Sequence, residues 1–119
     1  MRRALMHELS IAEGIVEAVE KTAAAQAIDR VLSVRVAVGE LAGVDIEALK
    51  FAWLSVTREG LLKGAGLTIE TPPGQAWCLD CGKEVPLHRH GEPCPECGGY
   101  HLTATQGHEL RVLDFEVPE

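Results

Sequence analysis

Residues 78–97 read CLDCGKEVPLHRHGEPCPEC, two Cys-x-x-Cys pairs with twelve residues between them, and Cys78, Cys81, Cys94 and Cys97 are the only cysteines in the chain. Each pair can present two thiolates from a short knuckle, and two knuckles complete one tetrahedral ion at Zn–S distances near ~2.3 Å. The spacing therefore predicts a structural zinc site with a hairpin or loop between the pairs. Two disulfides are the other use of four cysteines, and they belong to an oxidising compartment. A four-thiolate ion has no coordination position left for water or substrate, so this zinc holds structure and catalyses nothing. His88 and His90 lie between the pairs, and imidazole is a competent substitute for a thiolate if the ligation rearranges.

Working outward, Pro72, Pro73 and Gly74 punctuate the chain before the first pair, and Gly98 and Gly99 follow the last cysteine. Between them Trp77, Val85, Leu87 and Tyr100 are nearly all the apolar content, so metal binding must supply the folding free energy of this segment. On its N-terminal side, Leu67 to Thr71 reads as a short strand. Earlier, Leu32, Val34, Val36 and Val38 alternate with Val31, Ser33, Arg35 and Ala37, the period of a half-buried strand that Gly39 ends. On its C-terminal side, Leu110 to Val117 is again extended, with Leu113, Phe115 and Val117 on one face.

Two helices complete the pattern. Ser10 and Glu13 fit a capping box, after which Ile11, Ile15 and Val19, with Ala12 and Val16 beside them, form an apolar stripe to about Ala27. Asp45 is placed to cap a second helix whose Leu49, Ala52, Trp53 and Val56 form the buried stripe, ending near Gly60. The expected fold is α+β: two helices packed on a small mixed three-stranded sheet, with an inserted zinc ribbon-like lobe. Residues 1–74 plus 105–119 make the main domain and 75–104 the zinc-binding domain.

A formal charge of −7 over 119 residues argues against sequence-independent nucleic-acid binding, which neutralises phosphates with Lys and Arg. The only basic pair, Arg2 and Arg3, makes neither a tail nor a patch. No apolar run approaches the ~20 residues of a membrane span and the start lacks the apolar core of a signal peptide, so a cytoplasmic protein is expected, where thiols stay reduced for zinc. No Walker motif, dinucleotide-binding glycine loop or His-Glu-x-x-His helix is present, and the chain is read as no enzyme.

His7 and Glu8 stand just ahead of the expected first helix, outside its apolar stripe and exposed. An imidazole beside a carboxylate suits a borderline divalent ion such as nickel, although an ordinary surface histidine has the same appearance in sequence. Asp45 is explained by its capping role, and a free carboxylate oxygen there can still serve a metal if the first helix begins nearby. His101 and His108 flank the return to the sheet and read as surface histidines.

The segment Met6-His7-Glu8-Leu9-Ser10, followed by Ile11-Ala12-Glu13, resembles the start of the HypA/HybF family of nickel metallochaperones for [NiFe]-hydrogenase maturation. Gly39-Glu40 through Val44-Asp45, the two cysteine pairs, and Thr105-Gln106-Gly107 leading to Glu109-Leu110 resemble further family segments in the same order, covering Met6 to Val117. The resemblance implies Ni(II) as cargo, with His7 the principal ligand, Glu8 adjoining it and Asp45 supporting, and structural Zn(II) on the four cysteines. It implies a HypB-type GTPase and the hydrogenase large-subunit precursor as partners, urease as a further recipient in some relatives, and a monomer or a homodimer, with strand exchange one route to the dimer. In the family the Met-His-Glu segment is the extreme N-terminus, whereas five residues precede it here; translation from Met6 is the simpler expectation. The alternative reading is a zinc-organised protein-interaction adaptor without a nickel site.

Overall fold

The computed structural model describes residues 3–119, with side chains from His7 onward. The expected start at Met6 concerns Met1, Arg2 and neighbouring side chains outside the described residues. Eight elements follow one another: α1 (Arg3–Ala25), β1 (Ser33–Val38), α2 (Ile46–Val56), β2 (Gly66–Glu70), β3 (Gln75–Cys78), β4 (Lys83–Pro86), β5 (Leu102–Gln106) and β6 (Leu110–Glu116). They form two sheets of three strands, ordered β2-β1-β6 and β4-β3-β5. The chain divides into two compact units, one comprising the chain up to Val36 with Val44–Ile69 and Arg111–Glu119, the other Ala37–Gly43 with Glu70–Leu110.

In the first unit α1 starts well before the capping box expected at Ser10. No proline or glycine interrupts residues 3–13, and a serine in a helix interior is only mildly unfavourable, so propagation passes over a local cap. Ser10 lies on the solvent side, and the buried stripe is Glu8, Ala12, Ile15, Val19 and Ala23. The helix ends as a Schellman motif: Ile28 N–H donates to the Ala23 carbonyl at 2.9 Å and Ala27 N–H to that of Ala24 at 3.2 Å. Ala27, at φ +56°, takes the left-handed position that glycine usually fills.

The α2 helix is capped by Asp45, whose side chain accepts the Ala48 N–H at 3.1 Å. It buries Leu49, Ala52 and Trp53, and the Trp53 indole N–H donates to the Ala65 carbonyl at 2.8 Å. It stops at Val56 rather than near Gly60, because Thr57 takes the C-cap and its hydroxyl turns back to the Trp53 carbonyl at 2.7 Å.

β1 is the central strand of the first sheet and buries Val34, Val36 and Val38. Its bonds to the β2 side advance together along the chain, Val31 to Leu61 and Leu32 to Gly66, which makes that pair parallel with α2 as the crossover. On the other side the partners run in opposite senses, Ser33 with Glu116 and Arg35 with Asp114, so β6 is antiparallel and the sheet is mixed. The expected alternation fails at its start: Val31 is buried and Leu32 exposed, since the ladder begins only at Ser33.

The second unit contains a sheet that sequence periodicity did not reveal. β3 pairs antiparallel with β4, Cys78 opposite Lys83, and with β5, Cys78 opposite Leu102. Its interior is Leu41, Ala76 and Leu87, continued by Cys78, Val85 and Cys94. Trp77 and Tyr100, counted above among its apolar content, are exposed instead; Ala76 and Cys78 take the inward face of β3, and strand alternation turns Trp77 outward. Leu41 comes from the β1–α2 connection, which is laced in by Leu41 N–H to the Gly107 carbonyl and Gly39 N–H to that of Glu109, both 2.7 Å.

Two consequences are measurable. A Cβ at Gly39 would run into the Gly107 carbonyl oxygen and come within 2.7 Å of Glu109 Oε1. Gly39→Ala is therefore expected to destabilise by roughly 1–3 kcal/mol, as overpacked sites do; an unchanged urea midpoint for the zinc-loaded protein would contradict this packing. In the first unit, the Arg35 guanidinium hydrogen-bonded to Asp114 holds that carboxyl below its usual range. A depressed folded pKa contributes stability above the unfolded value of ~3.9 and loses it as pH falls through the folded one. Asp114→Asn should thus be slightly less stable than wild type at neutral pH, the gap closing in acid, with the fluorescence of buried Trp53 as reporter; a gap that widens on acidification would reverse the sign.

Candidate metal centres

The four cysteines sit on two knuckles of the same construction. Cys78 ends β3, and Gly82, at φ +66°, returns its N–H to the Cys78 carbonyl at 2.8 Å. In the second, Gly98, at φ +73°, returns its N–H to the Cys94 carbonyl at 2.9 Å. Only glycine takes this conformation without steric cost, which explains Cys-x-x-Cys-Gly in both places. Backbone N–H groups of Cys81 and Glu96 point at the sulfurs of Cys78 and Cys94, each at 3.4 Å, and Gly99 N–H approaches Cys97 Sγ at the same distance.

The sulfurs lie 3.7 Å apart for Cys78 and Cys97 and 3.8 Å for Cys81 and Cys94, and all four ligand atoms fall within 4.8 Å of one another. A tetrahedron with ~2.3 Å Zn–S bonds has S···S edges of about 3.75 Å, so the donor set fits zinc without rearrangement. All four cysteines are free thiols. Backbone donors from Cys97 and Glu96 bring the Cys94 thiol down to about 7, whereas sharing hydrogen bonds with Cys78 and Cys97 pushes Cys81 up to about 12. The cluster is a zinc-binding site, and its loading displaces thiol protons.

In the first unit, three residues singled out in the sequence are drawn together. His7 is exposed, as expected, but it lies within α1 rather than ahead of it. Glu8, expected to be exposed, is 1% exposed, because it occupies the first position of the buried stripe, one turn before Ala12. Its Oε2 accepts the Asp45 N–H at 2.8 Å and stands 3.8 Å from His7 Nδ1. The other oxygen, Oε1, is buried and has no hydrogen-bond partner among the described residues. Asp45 itself is exposed and serves as the α2 cap with Oδ1. Among the described residues only the four cysteines gather three or more ligand atoms within 4.8 Å, so His7, Glu8 and Asp45 are adjacent without forming a closed ligand set.

Glu40, quoted only as part of a motif, also has a definite place in the second unit. Its Oε1 accepts the Gly74 N–H and its Oε2 meets His88 Nδ1, both at 2.8 Å, so His88 is engaged by a carboxylate. Those bonds hold the Glu40 carboxyl below the usual carboxylate range, the Gly74 bond contributing most. His101 Nδ1 is similarly held by Asp80 Oδ2 at 2.9 Å, and His90 faces His108. The signal for Glu8 was in the chain: running the Ala12, Ile15, Val19 spacing back by four residues lands on it.

The family model described as "Hydrogenase/urease nickel incorporation, metallochaperone, hypA" matches residues 6–117. The hydrogenase maturation factor HypA of Azotobacter chroococcum mcd 1 is 50% identical over 112 residues, 94% of this chain and 99% of that protein. The factor of the same name from Cupriavidus necator is 46% identical over 114 residues, 96% of each chain. The solution structure of the Ni metallochaperone HypA from Helicobacter pylori superposes with a TM-score of 0.64 at 25% identity, covering 92% of this chain and 96% of that one.

If the thiolate cluster supplies the folding free energy of its unit, stripping zinc with a chelator should collapse the amide NMR dispersion of residues 75–104 while the Trp53 indole N–H signal persists. Dispersion retained in metal-free protein would show that the small apolar interior suffices alone.

Proposed function

This chain belongs to the HypA family of nickel-incorporation metallochaperones, and from that premise we propose that it binds Ni(II) at the Met6-His7-Glu8 segment and delivers it to the [NiFe]-hydrogenase large-subunit precursor. The observation that carries the reading is the Glu8 carboxylate, buried with one oxygen on the Asp45 N–H and the other unpartnered among the described residues, next to an exposed imidazole. A buried carboxylate with a free oxygen is costly unless something uses it. A divalent ion held by His7 would, and Ni(II) accepts imidazole, carboxylate and backbone nitrogen together.

Each residue has a distinct part. His7 is the exposed donor that meets the ion first. Glu8 is fixed by burial and by the Asp45 N–H, so its charge does not wander. Asp45 adds a second carboxylate beside it and ties the position of Glu8 to the start of α2. A site of few donors, open to solvent on the His7 side, suits cargo that must leave again, unlike a closed four-thiolate ion. The zinc unit then serves as the scaffold of docking surfaces. The partners we assign are a HypB-type GTPase and the hydrogenase precursor, in the reducing cytoplasm that keeps the thiols free, without catalytic turnover.

Nickel titration of zinc-loaded protein tests the reading. His7→Ala should weaken nickel at least tenfold, and Glu8→Gln should weaken it by ten- to a hundredfold, the range for groups that orient or support a ligand. Asp45→Asn, which keeps the helix cap, should have a smaller effect. Binding should weaken in acid, because protons compete with the ion for a ligating imidazole. Equal affinity in wild type and His7→Ala would instead favour the adaptor reading, in which zinc is the only metal.

A further inference from the structure

The two remaining histidines of the second unit meet. His90 Nε2 and His108 Nε2 lie 3.0 Å apart, with ring centroids 5.1 Å apart and planes inclined by 23°. A ring nitrogen sits ~1.1–1.2 Å from its centroid by ordinary covalent dimensions, so these values mean two rings facing edge to edge through their Nε2 atoms rather than lying face on face. Both side chains are exposed and, among the described residues, no carboxylate is hydrogen-bonded to either. This distinguishes them from His88 and His101, whose Nδ1 atoms are held by Glu40 and Asp80.

We propose that His90 and His108 form a second, surface site for a borderline divalent ion, Ni(II) in the first instance, on the zinc-binding unit and separate from the thiolates. The nitrogen separation supports it. With metal–nitrogen bonds of ~2.0–2.1 Å, two imidazoles at ~90° about an ion stand ~2.9 Å apart, and at a tetrahedral angle ~3.3–3.4 Å. The observed 3.0 Å lies between them. Only the ring directions must change, turning both lone pairs to one side, and exposed rings turn readily. Without metal, the contact is a single N–H···N bond in which one ring carries its proton on Nε2 and the other on Nδ1. On metal binding both rings carry it on Nδ1, so two neutral imidazoles become two ligands with no net proton released.

The backbone supports the pair before any ion arrives. His108 is bracketed by the Gly107 carbonyl, which accepts Leu41 N–H, and the Glu109 carbonyl, which accepts Gly39 N–H, both at 2.7 Å. His90 follows Leu87, buried and bonded through its N–H to the Gly74 carbonyl at 3.0 Å, and His88, pinned by Glu40 at 2.8 Å. Ligand carriers fixed by surrounding bonds lose less freedom on binding. Two imidazoles leave the remaining positions to water, so the ion exchanges readily. The formal charge of −7 favours the approach of a cation.

The experiment uses full-length protein with the thiolate site saturated with zinc and carrying His7→Ala, titrated with NiCl2 by calorimetry and followed through the imidazole Hε1 NMR signals. One nickel equivalent should remain, broadening the signals of His90 and His108. Either His90→Ala or His108→Ala, with zinc content unchanged, should weaken it at least tenfold. No binding in the His7→Ala protein, or binding of unchanged affinity after both alanine substitutions, overturns the site. Because His7 is absent throughout, failure of nickel binding at His7 is seen only in the comparison of wild type with His7→Ala and does not enter this result.

Discussion

Four sulfurs with edges of 3.7 and 3.8 Å impose the constraint on which the second unit rests. Its buried side chains beyond the cysteines are Ala37, Val38, Leu41, Ala76, Val85 and Leu87, too few to repay the conformational entropy of roughly fifty residues. The ion makes up the difference by joining the end of β3 to a knuckle sixteen residues later. Once the sulfurs are tied, Cys78 and Cys94 count as interior, and β4 and β5 have a fixed strand on which to pair. The same closure leaves that metal no open position. Any exchangeable cargo must find donors elsewhere.

Glu8 is the converse case, a charge set where the helix pattern calls for an apolar side chain. A carboxylate in that position has to be satisfied, and half of it is, by a backbone donor at the very residue that caps α2. The arrangement links the two helices through a polar contact whose geometry is definite. It also leaves one oxygen with an unfilled requirement. Stability alone would have placed leucine there, and under the proposed function the unfilled oxygen is the one an ion beside His7 would use.

Much of this was legible in the chain because the signals were local. Cysteine spacing, the Asp45 cap, the inward Val34, Val36 and Val38 of β1 and the inward Leu49, Ala52 and Trp53 of α2 each depend on residues a few positions apart, and each appears where expected. What escaped was set by contacts distant in sequence or by competition between local options. Ser10 offered a cap that a longer stripe overrode. The β3–β4–β5 sheet has strands of four or five residues, too short for a period to show. Leu41 reads as loop, yet it packs with Ala76 and Leu87, and nothing in a glycine-flanked connection announces that. The meeting of Glu8 with Asp45, thirty-seven residues apart, needed α1 to begin early.

The five histidines show how neighbours divide one residue type among tasks. His88 and His101 are each oriented by a carboxylate at 2.8 and 2.9 Å, which fixes Nδ1 as the inner atom. Such a ring is a poorer first partner for a cation, because it is already held in place by another group. Among the described residues, His90 and His108 have only each other, through an exposed contact at 3.0 Å. His7 has a buried carboxylate at 3.8 Å, beyond a direct hydrogen bond, close enough to draw a cation without locking the ring. Metal exchange requires donors that are neutral, exposed and uncommitted. By that criterion, the histidines suited to a mobile ion are the three without a carboxylate in hydrogen-bonding range.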